Sequence, residues 1–244
     1  IGMVRPFVDL GGRGGAFLPT ALLFLLFSLP CFLLVKEGGA NAWRWGYLGK
    51  GYTRVRETLR QAPRYGPLFR FILARFLYTD AVSTVTAFMA VYTVKVLGFT
   101  DSMNQALFLL GTAFAALGPF LYGRLADRLG PKRTLLIVRL QWALVLLAAA
   151  STFHRPFFWA IGAVAGVSLG ALWTTDRVFL LRLSPPGQVG EFFGLYGLVG
   201  KLSAVVGPLL WGFLTFTLAG LGLLSYRIAI LALLLLLVAG LLVL

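Results

Sequence analysis

The chain has 244 residues, 59% of them hydrophobic and only 12% charged, with a mean hydropathy of +0.88. A soluble domain carries about 25% charged residues, so this composition excludes an ordinary water-soluble globule. The net charge of +14 would suit a nucleic-acid binder, but the basic residues are sorted along the chain rather than gathered into one patch.

The chain starts at Ile1 rather than Met, which reads as a fragment or a processed piece. Residues 1–16 form a glycine-rich loop (Gly11, Gly12, Gly14, Gly15), and no strand precedes those glycines to make a phosphate-binding turn. Phe17–Val35 is the first apolar run. It is near the ~20 residues a bilayer requires and too long for a usual signal-peptide core. Lys36-Glu37 follows it, with no small-residue cleavage site. Cys31 is the single cysteine and lies in this run, and His154 is the single histidine. Together they argue against a disulfide, a thiolate metal site or a His-based metal centre. No cofactor is expected either.

Residues 36–68 are the longest polar stretch. Tyr52, Val55 and Leu59 share one helical face, with Arg54, Arg56 and Arg60 around them. A basic amphipathic helix on a membrane surface and a disordered linker both fit. On either reading it is a basic linker between the first apolar run and the spans that follow.

Six more spans follow, at about 69–97, 103–122, 135–152, 157–181, 191–217 and 226–244, joined by short turns that make neighbouring helices antiparallel. Thirteen of the 22 basic residues fall in 36–70, in 123–134 or at Arg182, and only Arg5, Arg13 and Arg155 fall in loops of the other side. This is the positive-inside bias, which assigns loops 36–68, 123–134 and 182–190 to the cytoplasm. It makes the lipid bilayer a partner and nucleic acid not one.

The third span ends in Gly-Pro-Phe-Leu-Tyr-Gly (118–123), and the sixth carries Gly-Pro-Leu-Leu-Trp-Gly (207–212). Each is the middle helix of a three-span set, and the two sets begin on opposite sides of the membrane. That is the pattern of an inverted repeat, although glycine and proline are common enough in membrane helices to echo by chance. Gly162, Gly166 and Gly170 at four-residue spacing, and Gly200, Ala204 and Gly207, are strips for close helix packing.

Charge within a bilayer costs about 2.5–3.5 kcal/mol per residue, so intramembrane ionisable groups are the candidates for function. Asp80 lies near mid-span, with Ser83 and Thr84 at i+3 and i+4 on its face. Lys201 reaches a similar depth in the sixth span. One reading has Asp80 taking a proton or a cationic group, with Lys201 as counter-ion. The other is a salt bridge that only fixes packing. Arg75 is counted with this set, although its place nearer the inner end also allows snorkelling, as for Lys95 and Arg227. Arg139, just inside the fourth span, is ambiguous.

A second set gathers at the cytoplasmic mouth. In Gly123–Arg133, Gly123 and Gly130 loosen the backbone around Asp127 and Arg128, with Lys132 and Arg133 following. Asp176 and Arg177 close the fifth span and Glu191 opens the sixth. Asp127 is expected near a helix N-terminus, and Arg128 opposite Asp176. Contacts that form when this side is shut and break when it opens would make an electrostatic gate. Static loop pinning is the other reading.

The pattern Gly-x3-Asp-Arg-x-Gly-x-Lys-Arg (123–133) resembles the major facilitator superfamily of secondary transporters, with Pro131 where that family usually has a basic residue. Arg75-Phe-Leu-Tyr-Thr-Asp80, Pro185–Tyr196 and Gly200–Pro208 resemble one branch of it, the bacterial relatives of the autophagy-linked vacuolar amino-acid effluxers. Ala81 departs from that branch's usual glycine, and Asp176-Arg177 from its Ser/Arg-rich pattern. The resemblance implies an all-α membrane protein of seven transmembrane helices. The last six (69–244) would form one major-facilitator half of two inverted three-helix repeats. Residues 1–35 would be an external loop and the last helix of a first half whose remainder is a missing partner. It implies a multi-pass permease of the plasma membrane that moves a small polar solute by alternating access with ion coupling. Amino-acid efflux is the suggested cargo flow and protons the candidate ion. A non-transporting sensor or scaffold on the same fold remains open. A membrane-embedded enzyme would need paired catalytic groups, and no second mid-span acid or histidine accompanies Asp80.

Overall fold

The computed structural model describes residues 17–34 and 65–244, which form helices joined by short turns, with no strand among them. The glycine-rich stretch 1–16 and the amphipathic or linker reading of 36–64 lie outside the described residues. Helix α1 (Phe17–Leu34) belongs to one compact unit. The second unit carries α2 (Gly66–Leu97), α3 (Asp101–Leu129), α4 (Pro131–Ser151), α5 (Arg155–Leu183), α6 (Val189–Leu202), α7 (Val206–Thr217) and α8 (Leu223–Val243). Counting α6 and α7 as one interrupted rod, seven described helices are long and apolar enough to cross a membrane. The chain is an all-α, multi-pass membrane protein.

Local chemistry sets the helix ends. Pro67 sits in the first turn of α2, where its missing N–H costs nothing, so the helix starts a little earlier than hydropathy alone suggests. Gly98 ends it in the left-handed conformation (φ 65°), its N–H returning to the Val94 carbonyl at 3.2 Å. Thr100 then caps α3 by accepting from the Met103 N–H at 3.3 Å.

The basic segment 123–133 is not the loop expected from its charge. Helix α3 runs through to Leu129 and α4 begins at Pro131, leaving Gly130 alone between them. Arg124 to Leu129 is a run dominated by strong helix formers, and Ala126 is buried, so packing carries the helix past the apolar span. Gly130 takes φ 84° and ψ 154°, a region essentially reserved for glycine, and this one residue makes the reversal. Gly123, by contrast, is an ordinary helical residue.

The second unit packs by exchange between two three-helix sets, α2–α4 and α5–α8. The middle helix of the first set, α3, lies along α5, the first rod of the second set. The middle rod of the second set, α6–α7, lies along α2, the first of the first. The third helices follow suit, α4 on α5 and α8 on α2, and then meet each other. Glycines permit the closest of these contacts. A Cβ on Gly166 would strike the Gly111 carbonyl, and one on Gly170 the Ala115 carbonyl, so the α5 strip touches α3 backbone to backbone. The two echoed Gly-Pro pairs sit at matching seams: Gly118 meets α5, and Gly207 meets α2. Much of the remaining surface is apolar, with Leu109, Phe120, Phe213 and Leu235 strongly exposed, as expected where lipid replaces water.

Candidate functional site

Two buried polar layers cross the six-rod unit. The first is built on a broken helix. Pro208 has no N–H, so the Ala204 carbonyl loses its i+4 donor. The rod unwinds there into a 3-10 turn over Ser203–Val205, with Ala204 at φ −71°, ψ 16°. Helix α7 restarts at Val206, so Gly207 stands in its first turn, among the N–H groups an α-helix leaves without internal partners. That N–H donates to Asp80 Oδ1 at 2.8 Å. A Cβ on Gly207 would sit 2.9 and 3.0 Å from the two Asp80 oxygens and closer still to Thr84 Oγ1, so only glycine permits this approach.

The fully buried Asp80 carboxylate is thus held at the positive end of a half-helix. Lys201 does not join it: the lysine is exposed in the last turn of α6 and forms no ion pair with Asp80. Lys201 precedes Gly207 by six residues, about 9 Å of helix, so it lies nearer the start of α6 than the level of Asp80 and not at the depth expected. Thr84, at i+4, faces Gly207 beside Asp80, whereas Ser83, at i+3, is exposed.

The second layer lies about two turns in from the end that carries the α3–α4 turn. Arg75 is nine residues into α2, Arg139 eight into α4, Tyr196 seven into α6, and Asp176 seven from the end of α5. At 1.5 Å per residue these depths agree to within about 3 Å. Arg75 does not snorkel. Its Nη1 donates to Asp176 Oδ2 in a buried ion pair, and its guanidinium lies 3.4 Å over the Tyr196 ring. The Tyr78 hydroxyl donates to Asp176 Oδ1 at 2.6 Å. The guanidinium of Arg139, fully buried, lies 3.8 Å over the Tyr78 ring. Buried charge is tolerated when it is paired and hydrogen-bonded, and here one carboxylate serves α2 directly and feels α4 as well.

This arrangement corrects the expected gate. Asp176 pairs with Arg75, not with Arg128, because it points into the bundle rather than toward the α3–α4 turn. Asp127 and Arg128 are exposed in the last turn of α3, beside the Gly130 turn into α4. Lys132, Arg133 and Arg177 are exposed too. Gly123 is half-buried with nothing within 4 Å of a Cβ, and Glu191 stands in the first turn of α6. Lys95 is exposed, but Arg227 is buried and donates to the Thr152 carbonyl at 2.9 Å instead of snorkelling. The sequence reading missed Tyr78 and Tyr196. The spacing of Arg75 and Tyr78 at i, i+3 was the one available signal.

A cavity of about 260 Å³ lies between α2, α3, α4 and α5, bordered by Thr86, Phe108, Thr112, Trp142, Phe158 and Trp173 among others. Its threonine hydroxyls return to their own helices, Thr86 to Val82 and Thr112 to Phe108, so its walls are largely apolar.

Comparison with known proteins bears on this geometry. Residues 16–244 match the model of a family described as "Vacuole effluxer Atg22 like". The chain is 27% identical to an uncharacterized MFS-type transporter, YxiO, of Bacillus subtilis, over 80% of this chain and 45% of that protein. It is 26% identical to autophagy-related protein 22 of Kluyveromyces lactis, over 82% of this chain and 45% of that protein. An uncharacterized protein of Aquifex aeolicus is 25% identical over 81% of this chain. The chain spans about half the length of these curated relatives.

Proposed function

The chain belongs to the family of Atg22-like vacuole effluxers, and from that premise we propose that it is part of a secondary active transporter. The protein moves a small polar solute by alternating access, and amino acids are the first cargo class to test. Two relatives carry names that describe a transporter and an autophagy protein of this same family, which supports the general reading. The positive-inside bias supports placing the basic α3–α4 end toward the cytoplasm, and the plasma membrane is the membrane we assign.

The observation that carries the coupling step is the contact between Asp80 and Gly207. As a carboxylate, Asp80 accepts strongly from the N–H at the restarted helix and complements its dipole. Protonation removes the charge and weakens that hold, so α7 is released from α2. These two rods belong to different three-helix sets, and uptake or loss of one proton therefore biases how the sets sit against each other. Broken helices at mid-membrane are where secondary transporters place coupling sites. The Arg75–Asp176 pair ties the same two sets nearer the basic end and acts as the inner tie of the gate, with Arg128, Lys132 and Arg133 on the surface above it.

The test is transport of a labelled amino-acid panel by the reconstituted protein, with and without a pH gradient. Gradient-driven flux that disappears in Asp80→Asn, at normal expression and folding, is the expected result. Flux that ignores both the gradient and the substitution removes Asp80 from the coupling step, and the absence of any flux across the panel removes the amino-acid assignment.

A further inference from the structure

Among the described residues the coupling and gating readings leave two buried charges without a role; Arg227 donates to the Thr152 carbonyl, whereas Arg139 has no acceptor. Its side chain is fully buried, and Nε, Nη1 and Nη2 find no acceptor. A guanidinium stays charged at any physiological pH and presents five N–H donors in a plane. The buried carboxylate of this layer, Asp176, accepts from Arg75 at Oδ2 and from the Tyr78 hydroxyl at Oδ1, and takes no hydrogen bond from Arg139. The layer therefore holds two guanidinium groups and one carboxylate. The Tyr78 ring beneath Arg139 offers a cation–π contact at 3.8 Å, which is weaker than the desolvation of an uncompensated cation.

A second donor points the same way. Trp142 lies three residues on, on the same face of α4, and its indole Nε1 is also buried without an acceptor. Trp142 in turn borders the cavity between α2, α3, α4 and α5.

We infer that Arg139, with Trp142 beside it, forms a buried anion site on α4 for a small monovalent anion, chloride or a compact carboxylate. The anion neutralises the excess positive charge of the Arg75–Asp176–Arg139 layer and accepts from the orphaned guanidinium nitrogens. It must be small, because those nitrogens are sealed from solvent and an ion reaching them sheds its hydration shell. The inference goes beyond the transport reading and holds whether or not Asp80 is the coupling group.

The experiment is thermal unfolding of the purified protein in detergent, in potassium chloride, acetate and gluconate at equal ionic strength. A ligand bound only to the folded state raises the midpoint saturably, by roughly 5 °C at about a hundred times its Kd. Chloride or acetate is expected to raise it over gluconate, and Arg139→Met to abolish the difference. Chloride alone acting identifies an inorganic anion, and acetate alone a carboxylate. Identical midpoints of the unaltered protein in all three salts overturn the inference, whatever the variant does, and are what a buried water at Arg139 would produce. A salt preference that survives in Arg139→Met overturns it equally.

Discussion

Arg75 of α2 and Asp176 of α5 stand 101 residues apart in sequence and meet as a buried ion pair, and the Tyr78 hydroxyl that donates to the same carboxylate belongs to a ring lying 3.8 Å beneath the Arg139 guanidinium. The two partners are therefore not equivalent. Removing Arg75 leaves Asp176 and Arg139, one charge of each sign. Removing Asp176 leaves two buried guanidinium groups, Arg75 and Arg139, and no carboxylate in the layer. Breaking a buried pair costs about 3–5 kcal/mol, and the cost rises when the remaining charges are alike. Asp176→Asn is expected to destabilise more than Arg75→Met in detergent thermal unfolding. Equal losses, or the reverse order, would show that Arg139 does not share the carboxylate.

At Asp80 two substitutions separate the charge from the hydrogen bond. Asparagine keeps an oxygen for the Gly207 N–H but carries no charge, whereas alanine leaves that N–H buried and unmatched. An unsatisfied buried donor costs about 1–3 kcal/mol. Asp80→Ala should therefore unfold at a clearly lower temperature than Asp80→Asn, while both lose gradient-driven transport. Equal stability of the two would mean that the Gly207 contact does not hold α7 in place.

The glycine seam between α3 and α5 allows a comparison within one residue type. A methyl on Gly166 meets the backbone carbonyl of Gly111, which has no rotamer to move aside, so the two helices must part. Overpacking of this kind costs about 1–3 kcal/mol. Gly123 lies inside α3 with nothing within 4 Å of a Cβ, and alanine there narrows the unfolded ensemble at no steric cost, a gain of about 0.4–1 kcal/mol. Gly166→Ala should lower the unfolding midpoint and Gly123→Ala should hold or raise it. Matching effects would contradict the close backbone approach of α3 and α5.

The rods themselves were legible because lipid imposes a length and a composition, and both are written plainly in each apolar run. Glycines at fixed spacing carried through for a similar reason: a missing side chain can be read from sequence, and Gly162, Gly166 and Gly170 meet α3 as a strip should. Pairing was harder, because span ends set depth loosely and azimuth not at all. Counting residues from the span ends put Asp80 and Lys201 at one depth, but Asp80 stands level with Gly207, six residues and about 9 Å further along the rod, while Arg75 and Asp176 came from sets assigned to different tasks. The α3–α4 turn misled for another reason. Its charges mark it as exposed, which it is, but exposure does not forbid a helix, and Ala126 packs beneath them. What Asp80 touches was hidden in Pro208, whose effect falls four residues earlier on Ala204 and only then exposes the Gly207 N–H.

The sharpest consequence of that break lies at Gly207 itself. Its missing Cβ would collide with Thr84 Oγ1 and press on both Asp80 oxygens. Gly207→Ala must therefore either push α7 away from α2 or turn the Asp80 side chain, and in both cases the N–H-to-carboxylate contact opens. Transport is expected to fall steeply while the protein still inserts, since no apolar span is shortened. Thr84 Oγ1 is buried and makes no hydrogen bond of its own, so Thr84→Ala removes the nearest obstacle at little cost. The double variant Gly207→Ala/Thr84→Ala should recover part of the lost flux and part of the lost stability, a coupling of about 0.5–3 kcal/mol in a double-mutant cycle. Strict additivity of the two changes would mean that Thr84 and Gly207 do not meet, and that the α2–α7 seam is packed otherwise.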